Sequence, residues 1–190
     1  MKYTGLIASA AAIIAAVFFI AYISGKQAIP VITGSRGAPA AAATSTDASL
    51  VGSAAPSFNL LGASGDSVSL SGFSGKPLVL IFWSSWSQPS LDELRIVSDY
   101  RANPDAAAPL VSFLAIDSEE DPSVALSLAR RSGYNVPFAL DSSGAVTENY
   151  RVTGLPETYF IDRSGVIRDV SAGVLGRSAL VDKIENLVKQ

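Results

Sequence analysis

The run Leu78-Val-Leu-Ile-Phe-Trp83 constrains this chain more than any other segment. Six consecutive apolar residues without polar alternation describe a strand covered on both faces, as in the middle of an α/β sheet. A polar stretch, Ser84–Pro89, follows, and Ser90 to about Arg101 reads as a helix. Leu91, Leu94 and Val97 give that helix its apolar stripe. Asp92 and Glu93 fall in its first turn, where the helix dipole favours acids.

The remaining segments supply neighbours for that strand. Ser57–Leu60 and Ser67–Leu70 read as short strands around Gly65-Asp66. A second buried strand spans Leu110–Ile116, and the acidic loop Asp117–Asp121 leads into a helix opened by Pro122 and ended by Gly133. Phe138–Leu140 is a short strand, Gly144–Tyr150 a short helix and Glu157–Ile161 another strand. The turn Asp162-Arg-Ser-Gly165 joins it to Val166–Val170, and Ser178–Lys189 closes the chain as an amphipathic helix. Strands alternate with helices before a hairpin and a last helix, so the expected fold is a three-layer α/β/α arrangement with a central mixed sheet.

Residues 54–190 form that domain. Ahead of it, Gly5–Ser24 is an uncharged 20-residue run. At about 1.5 Å per residue it spans about 30 Å, the thickness of a hydrocarbon core. Secretory apolar regions are usually about 7–15 residues long, so residues 1–26 read as an uncleaved transmembrane anchor rather than a cleaved signal peptide. Residues 27–53, rich in Ala, Gly, Ser, Thr and Pro, read as a flexible tether with a reach of about 25–30 Å.

Composition removes several function classes. Lys2, Lys26 and Arg36 against Asp47 leave the first fifty residues at +2, and the other eleven cations and sixteen acids leave the rest at −5. An acidic domain without clustered Lys and Arg is not expected to bind nucleic acid. The adjacent pair Arg130–Arg131 reads as a solvated helix face. The chain has neither cysteine nor histidine. Disulfide exchange, thiolate catalysis and Cys-ligated metal centres are therefore closed to it, and so is the usual general base. Neither a metal nor another cofactor is expected. The acids of Asp117–Asp121 read as helix caps rather than as a cation site.

From Ala55 onward the chain resembles the TlpA/ResA-type membrane-tethered thioredoxins of bacteria. The segments APSFNL, VLIFWSSWSQPSLDEL and PFALDSSGAVTENYRVTGLPETYFIDRSGVIRD carry the likeness by their order and spacing. The resemblance implies a thioredoxin-like fold and a domain on the extracytoplasmic (periplasmic) side of a single-pass inner membrane anchor. It also implies thiol–disulfide oxidoreductase activity from a W-C-x-x-C motif. Here that motif is Trp86-Ser87-Gln88-Pro89-Ser90, with serine at both redox positions. Pro156 occupies the position of the family's cis-proline, and Glu93 that of an acid which tunes the cysteines. Where the family usually has a second helix proline this chain has Arg95, which favours an unkinked helix.

A serine hydroxyl stays protonated at a helix N-terminus and cannot form a disulfide, so the family's redox step is lost. With no histidine, a hydrolase mechanism lacks its base, and Lys76 lies at the wrong end of the preceding strand. Ser87 reads as a helix cap. Trp83 reads as core and Trp86 as half-exposed on a groove rim. The expected binding surface is the groove of Trp86, Gln88, Pro89, Leu155 and Pro156, holding an extended peptide or protein partner. Two alternatives stand beside it: a thiol–disulfide oxidoreductase met as a Cys-to-Ser variant, and a structural subunit of an envelope assembly.

Overall fold

The computed structural model describes residues 50–103 and 110–190. The expected anchor, residues 1–26, and nearly all of the tether lie outside the described residues. Among the described residues no helix is long and apolar enough to cross a membrane. Main-chain bonding to the sheet begins just before residue 54, where the Gly52 amide donates to Ile167 O at 2.7 Å.

Seven strands form one mixed sheet: β1 (Asn59–Gly62), β2 (Ser67–Ser69), β3 (Leu78–Trp83), β4 (Ser112–Ser118), β5 (Phe138–Asp141), β6 (Glu157–Ile161) and β7 (Ile167–Ala172). Their spatial order is β2-β1-β5-β4-β3-β6-β7. The pairs β3–β4 and β4–β5 are parallel, while β3–β6, β6–β7, β1–β5 and β1–β2 are antiparallel. The helices are α1 (Gln88–Ala102), α2 (Pro122–Ser132), α3 (Ala145–Asn149) and α4 (Arg177–Val188), with a 3-10 turn at Leu70–Phe73.

Every residue of β3 is buried, and its alternation feeds two cores. Val79, Ile81 and Trp83 pack with Leu94, Val97 and Tyr100 of α1 and with Leu180, Ile184 and Leu187 of α4. Leu128 and Ala129 of α2 flank the same cluster. Leu78, Leu80 and Phe82 face the other way, against Phe58, Val146, Tyr150 and Tyr159. The ring of Phe82 lies 5.2 Å from that of Tyr150 and 5.6 Å from that of Tyr159. Both phenols of this second core are satisfied: Tyr150 donates to Pro56 O at 2.9 Å and Tyr159 to Tyr150 O at 2.6 Å. The central mixed sheet with helices on each face agrees with the sequence reading, the second face being covered thinly by α3 and its flanking loops.

Several boundaries move. The expected strand Leu110–Ile116 is displaced to Ser112–Ser118, because β4 takes its register from β3, from Leu78 opposite Ser112 to Trp83 opposite Asp117. Asp117 and Ser118 are thus strand residues, not loop. Leu70 leaves the expected strand for the 3-10 turn. Helix α1 starts at Gln88, two residues early, since Pro89 sits in its first turn, where a missing N–H costs nothing. It then runs unbroken through Arg95 to Ala102. The turn Asp162–Gly165 forms as expected: Asp162 Oδ1 accepts from the amides of Ser164 (2.8 Å) and Val166 (3.0 Å), and Gly165 has a φ of 81°.

Phe82 sits where the two aromatic contacts meet, so truncation leaves a cavity that the central strand cannot close. Phe82→Ala should cost about 3–5 kcal/mol, read as a lower urea midpoint with little change in the slope.

Candidate functional site

The parallel strands β3, β4 and β5 end on one side of the sheet, the side on which ligands bind in open α/β sheets. The polar stretch after β3 turns there into α1. Ser87 is the helix N-cap: its backbone is extended (φ −92°, ψ 103°) and its Oγ accepts from the Ser90 amide at 3.4 Å. The same hydroxyl donates to Leu155 O, also at 3.4 Å, which brings the serine loop against the Leu155–Pro156 loop. The Leu155–Pro156 peptide bond is cis. Ser90, one helical turn on, is fully buried, and its Oγ has no partner among the described residues.

Glu93 corrects the sequence reading of a first-turn acid. It lies in the second turn of α1 and points into the protein, fully buried. Thr158 Oγ1 donates to its Oε1 at 2.8 Å, and the Leu175 amide donates to its Oε2 at 2.6 Å. Burial pushes its carboxyl above the usual range, and the bonds from Leu175 and Thr158 oppose that push. Asp92 is the solvent-facing neighbour, accepting from Gln88 Nε2 at 3.1 Å.

A second set of acids, missed as a group at the sequence level, lies under the loop. Asp117 is fully buried, and neither of its oxygens meets a donor among the described residues. Burial, the adjoining carboxyl of Glu120 and the charge of Asp141 raise it to about 8. It is thus a neutral acid at pH 7, able to donate its own proton to Glu120. Glu120 in turn holds the serine loop, accepting from the Ser85 amide at 2.9 Å and from Ser85 Oγ at 2.7 Å. Asp141 accepts from the Thr147 amide and hydroxyl, each at 2.8 Å. Among the described residues no group of acids is arranged to hold a metal ion. The orphaned polar atoms of the described buried side chains belong to Trp83, Ser90 and Asp117, all beneath the serine loop.

The predicted groove residues divide. Trp86 is 72% exposed, more than the half-exposure expected of it. It shares a cavity of about 350 Å³ with Leu155, between the serine loop and the segment Val152–Leu155. Gln88 and Pro89 are exposed on the helix start outside that cavity's walls, and Pro156 is buried behind Leu155. Trp83 is core, as expected.

Comparison with known proteins gives a consistent picture. The profile of the AhpC/TSA family matches residues 51–170. The thiol-disulfide oxidoreductase ResA of Geobacillus kaustophilus is 28% identical over 144 residues, covering 76% of this chain and 82% of that protein. The sporulation thiol-disulfide oxidoreductase A of Bacillus subtilis is 27% identical over 108 residues, 56% of this chain and 66% of that protein. Among solved structures, the exposed lipoprotein thioredoxin Etrx1 of Streptococcus pneumoniae superposes with a TM-score of 0.62 at 26% identity, covering 70% of this chain and all of that one.

The two serines should respond oppositely to removal of the hydroxyl. Ser87→Ala loses a cap and should cost about 0.5–1 kcal/mol, whereas Ser90→Ala removes an orphaned buried hydroxyl and should gain about 1 kcal/mol. Urea titration of the two variants checks the signs.

Asp117 sets a pH dependence. Its folded-state value lies above the ordinary 3.8, so the native protein keeps a proton that the unfolded chain releases. Stability from this group therefore falls as pH rises from about 4 to about 8 and levels off above. Asp117→Asn should flatten that slope, gaining on the order of 2–4 kcal/mol over the parent at pH 8.5 relative to pH 4.5. Urea midpoints measured across pH 4.5–8.5 test it; parallel curves for parent and variant would refute it.

Proposed function

The chain belongs to the AhpC/TSA family, and from that membership we propose that it is a redox-silent, membrane-tethered thioredoxin-like protein that binds an extended peptide or protein partner. The observation that carries this reading is the pairing of a serine loop with a cavity lined by Trp86 and Leu155. Ser87 and Ser90 hold the two redox positions at the start of α1, while Ser87 still touches Leu155 and Trp86 still stands exposed beside it. A peptide lying across Leu155 would meet an amphipathic indole beside an apolar wall, a surface suited to an extended peptide. No thiol is present to attack the partner, so binding is not followed by exchange.

The anchor reading supports an extracytoplasmic site held at a membrane by the segment 1–26. The Etrx1 relative is described as an exposed lipoprotein, which is in keeping with a surface location. This chain would reach the same place through an apolar helix.

One observation favours the second reading, a thiol–disulfide oxidoreductase in Cys-to-Ser form. The buried Ser90 Oγ has no hydrogen-bond partner among the described residues, whereas a thiol, a small and weakly hydrogen-bonding group, would fit that slot without loss. The site therefore keeps the shape of a sulfur site. A structural role in an envelope assembly has no comparable feature in its favour.

Insulin reduction tests the redox-silent reading of the site. The full-length chain in nonionic detergent should show no activity, and the Ser87→Cys/Ser90→Cys form should reduce insulin. Activity in the parent chain would sink the redox-silent reading, and silence of the double variant would show that more than the sulfurs has changed.

A further inference from the structure

We infer that the cavity between Trp86 and Glu119 receives a lysine or arginine side chain of the bound peptide. The inference rests on the groove reading above and adds a specificity to it. Val152 and Leu155 supply apolar wall, Ser118, Thr147 and Thr153 supply hydroxyls, and Trp86 supplies an exposed indole. Glu119 is the only charged residue of the lining. No hydrogen bond or ion pair from a described residue occupies its carboxylate, which is thus free for a ligand's cation.

Glu119 is held there at a conformational cost. Its backbone is left-handed, with a φ of 58°, a region that non-glycine residues seldom enter and that recurs at functional sites. Its amide donates to Asp141 O at 3.2 Å, which pins the turn to the end of β5. Its side chain then lies across Gly144. A β-carbon at position 144 would come within 2.6 Å of Glu119 Oε1 and 2.7 Å of its Cγ. The bare glycine is what gives the carboxylate its seat.

The electrostatics of the neighbourhood point the same way. Glu120 and Asp141 stand behind the Ser118–Thr147 wall, and no Lys or Arg is among the lining residues. A cleft lined by one sign of charge concentrates ligands of the other. An aliphatic stem along Val152 and Leu155 would end with its cation between an indole and a carboxylate, combining cation–π and ionic attraction. A glutamate side chain would be repelled, and a neutral isostere would lose both contributions.

The test uses the full-length chain in nonionic detergent and three rhodamine-labelled hexapeptides, identical except for arginine, citrulline or glutamate at one central position. Binding is read by fluorescence anisotropy at 50 and 500 mM NaCl. The arginine peptide should bind about tenfold more tightly than the citrulline peptide at low salt, with the glutamate peptide weakest. The gap should shrink at high salt, and both Glu119→Gln and Gly144→Ala should reduce it to about twofold. Equal binding of the three peptides, lost in Trp86→Ala, would overturn the inference and leave the groove reading standing. No binding of any peptide would overturn both.

Discussion

A carboxylate with no access to water requires partners, and Glu93 finds its two on different elements. One oxygen takes the hydroxyl of Thr158 in β6, and the other takes the Leu175 amide just before α4. The three groups fix α1 against the strand that follows Pro156 and against the last helix. Leaving such a group unpaired costs several kcal/mol, so sliding α1 along the sheet is heavily penalised. Ser87 and Leu155 can meet at the mouth of the groove because Glu93, below them, holds their elements in register.

Above that tie, the site combines satisfied and unsatisfied polar groups in an uneven way. Glu120 secures Ser85 through two bonds, while burial and the adjoining acids Glu120 and Asp141 raise the carboxyl of Asp117 beneath it to about 8. Among the described residues Ser90 Oγ and Trp83 Nε1 meet no hydrogen-bond partner. Buried polar groups are usually paired, and their concentration at one end of β3 and β4 marks the region where packing is subordinate to something else. The region is the end of the sheet at which Ser87 and Ser90 begin α1.

Much of this was legible in the letters. The run Leu78–Trp83 announced a strand buried on both faces, and Glu157–Ile161 was read to the residue. Glu93 was within reach of the same reasoning. Ser90, Glu93, Leu94, Val97 and Tyr100 form the buried stripe of α1, and a helix begun at Gln88 puts Glu93 on that stripe rather than in the first turn. Asp117 was not within reach. In the sequence it heads an acidic run, and only pairing opposite Trp83 draws it into the sheet and away from water. The pocket beside Trp86 was equally hidden, since it joins residues 86, 118–119, 147 and 152–155 from the connections that follow β3, β4 and β5.

The chain enters the described domain beside Gly165 and Ile167, where Ala55 N bonds Gly165 O at 2.8 Å and Ala54 pairs with Val166. Ala54, Lys76, Leu78 and Ile161 border one cavity there, at the start of β3. The serine loop leaves from the other end of β3, about 17 Å away along five residue steps of strand. Any support attached through the preceding residues therefore joins the described domain at the end of β3 remote from Trp86.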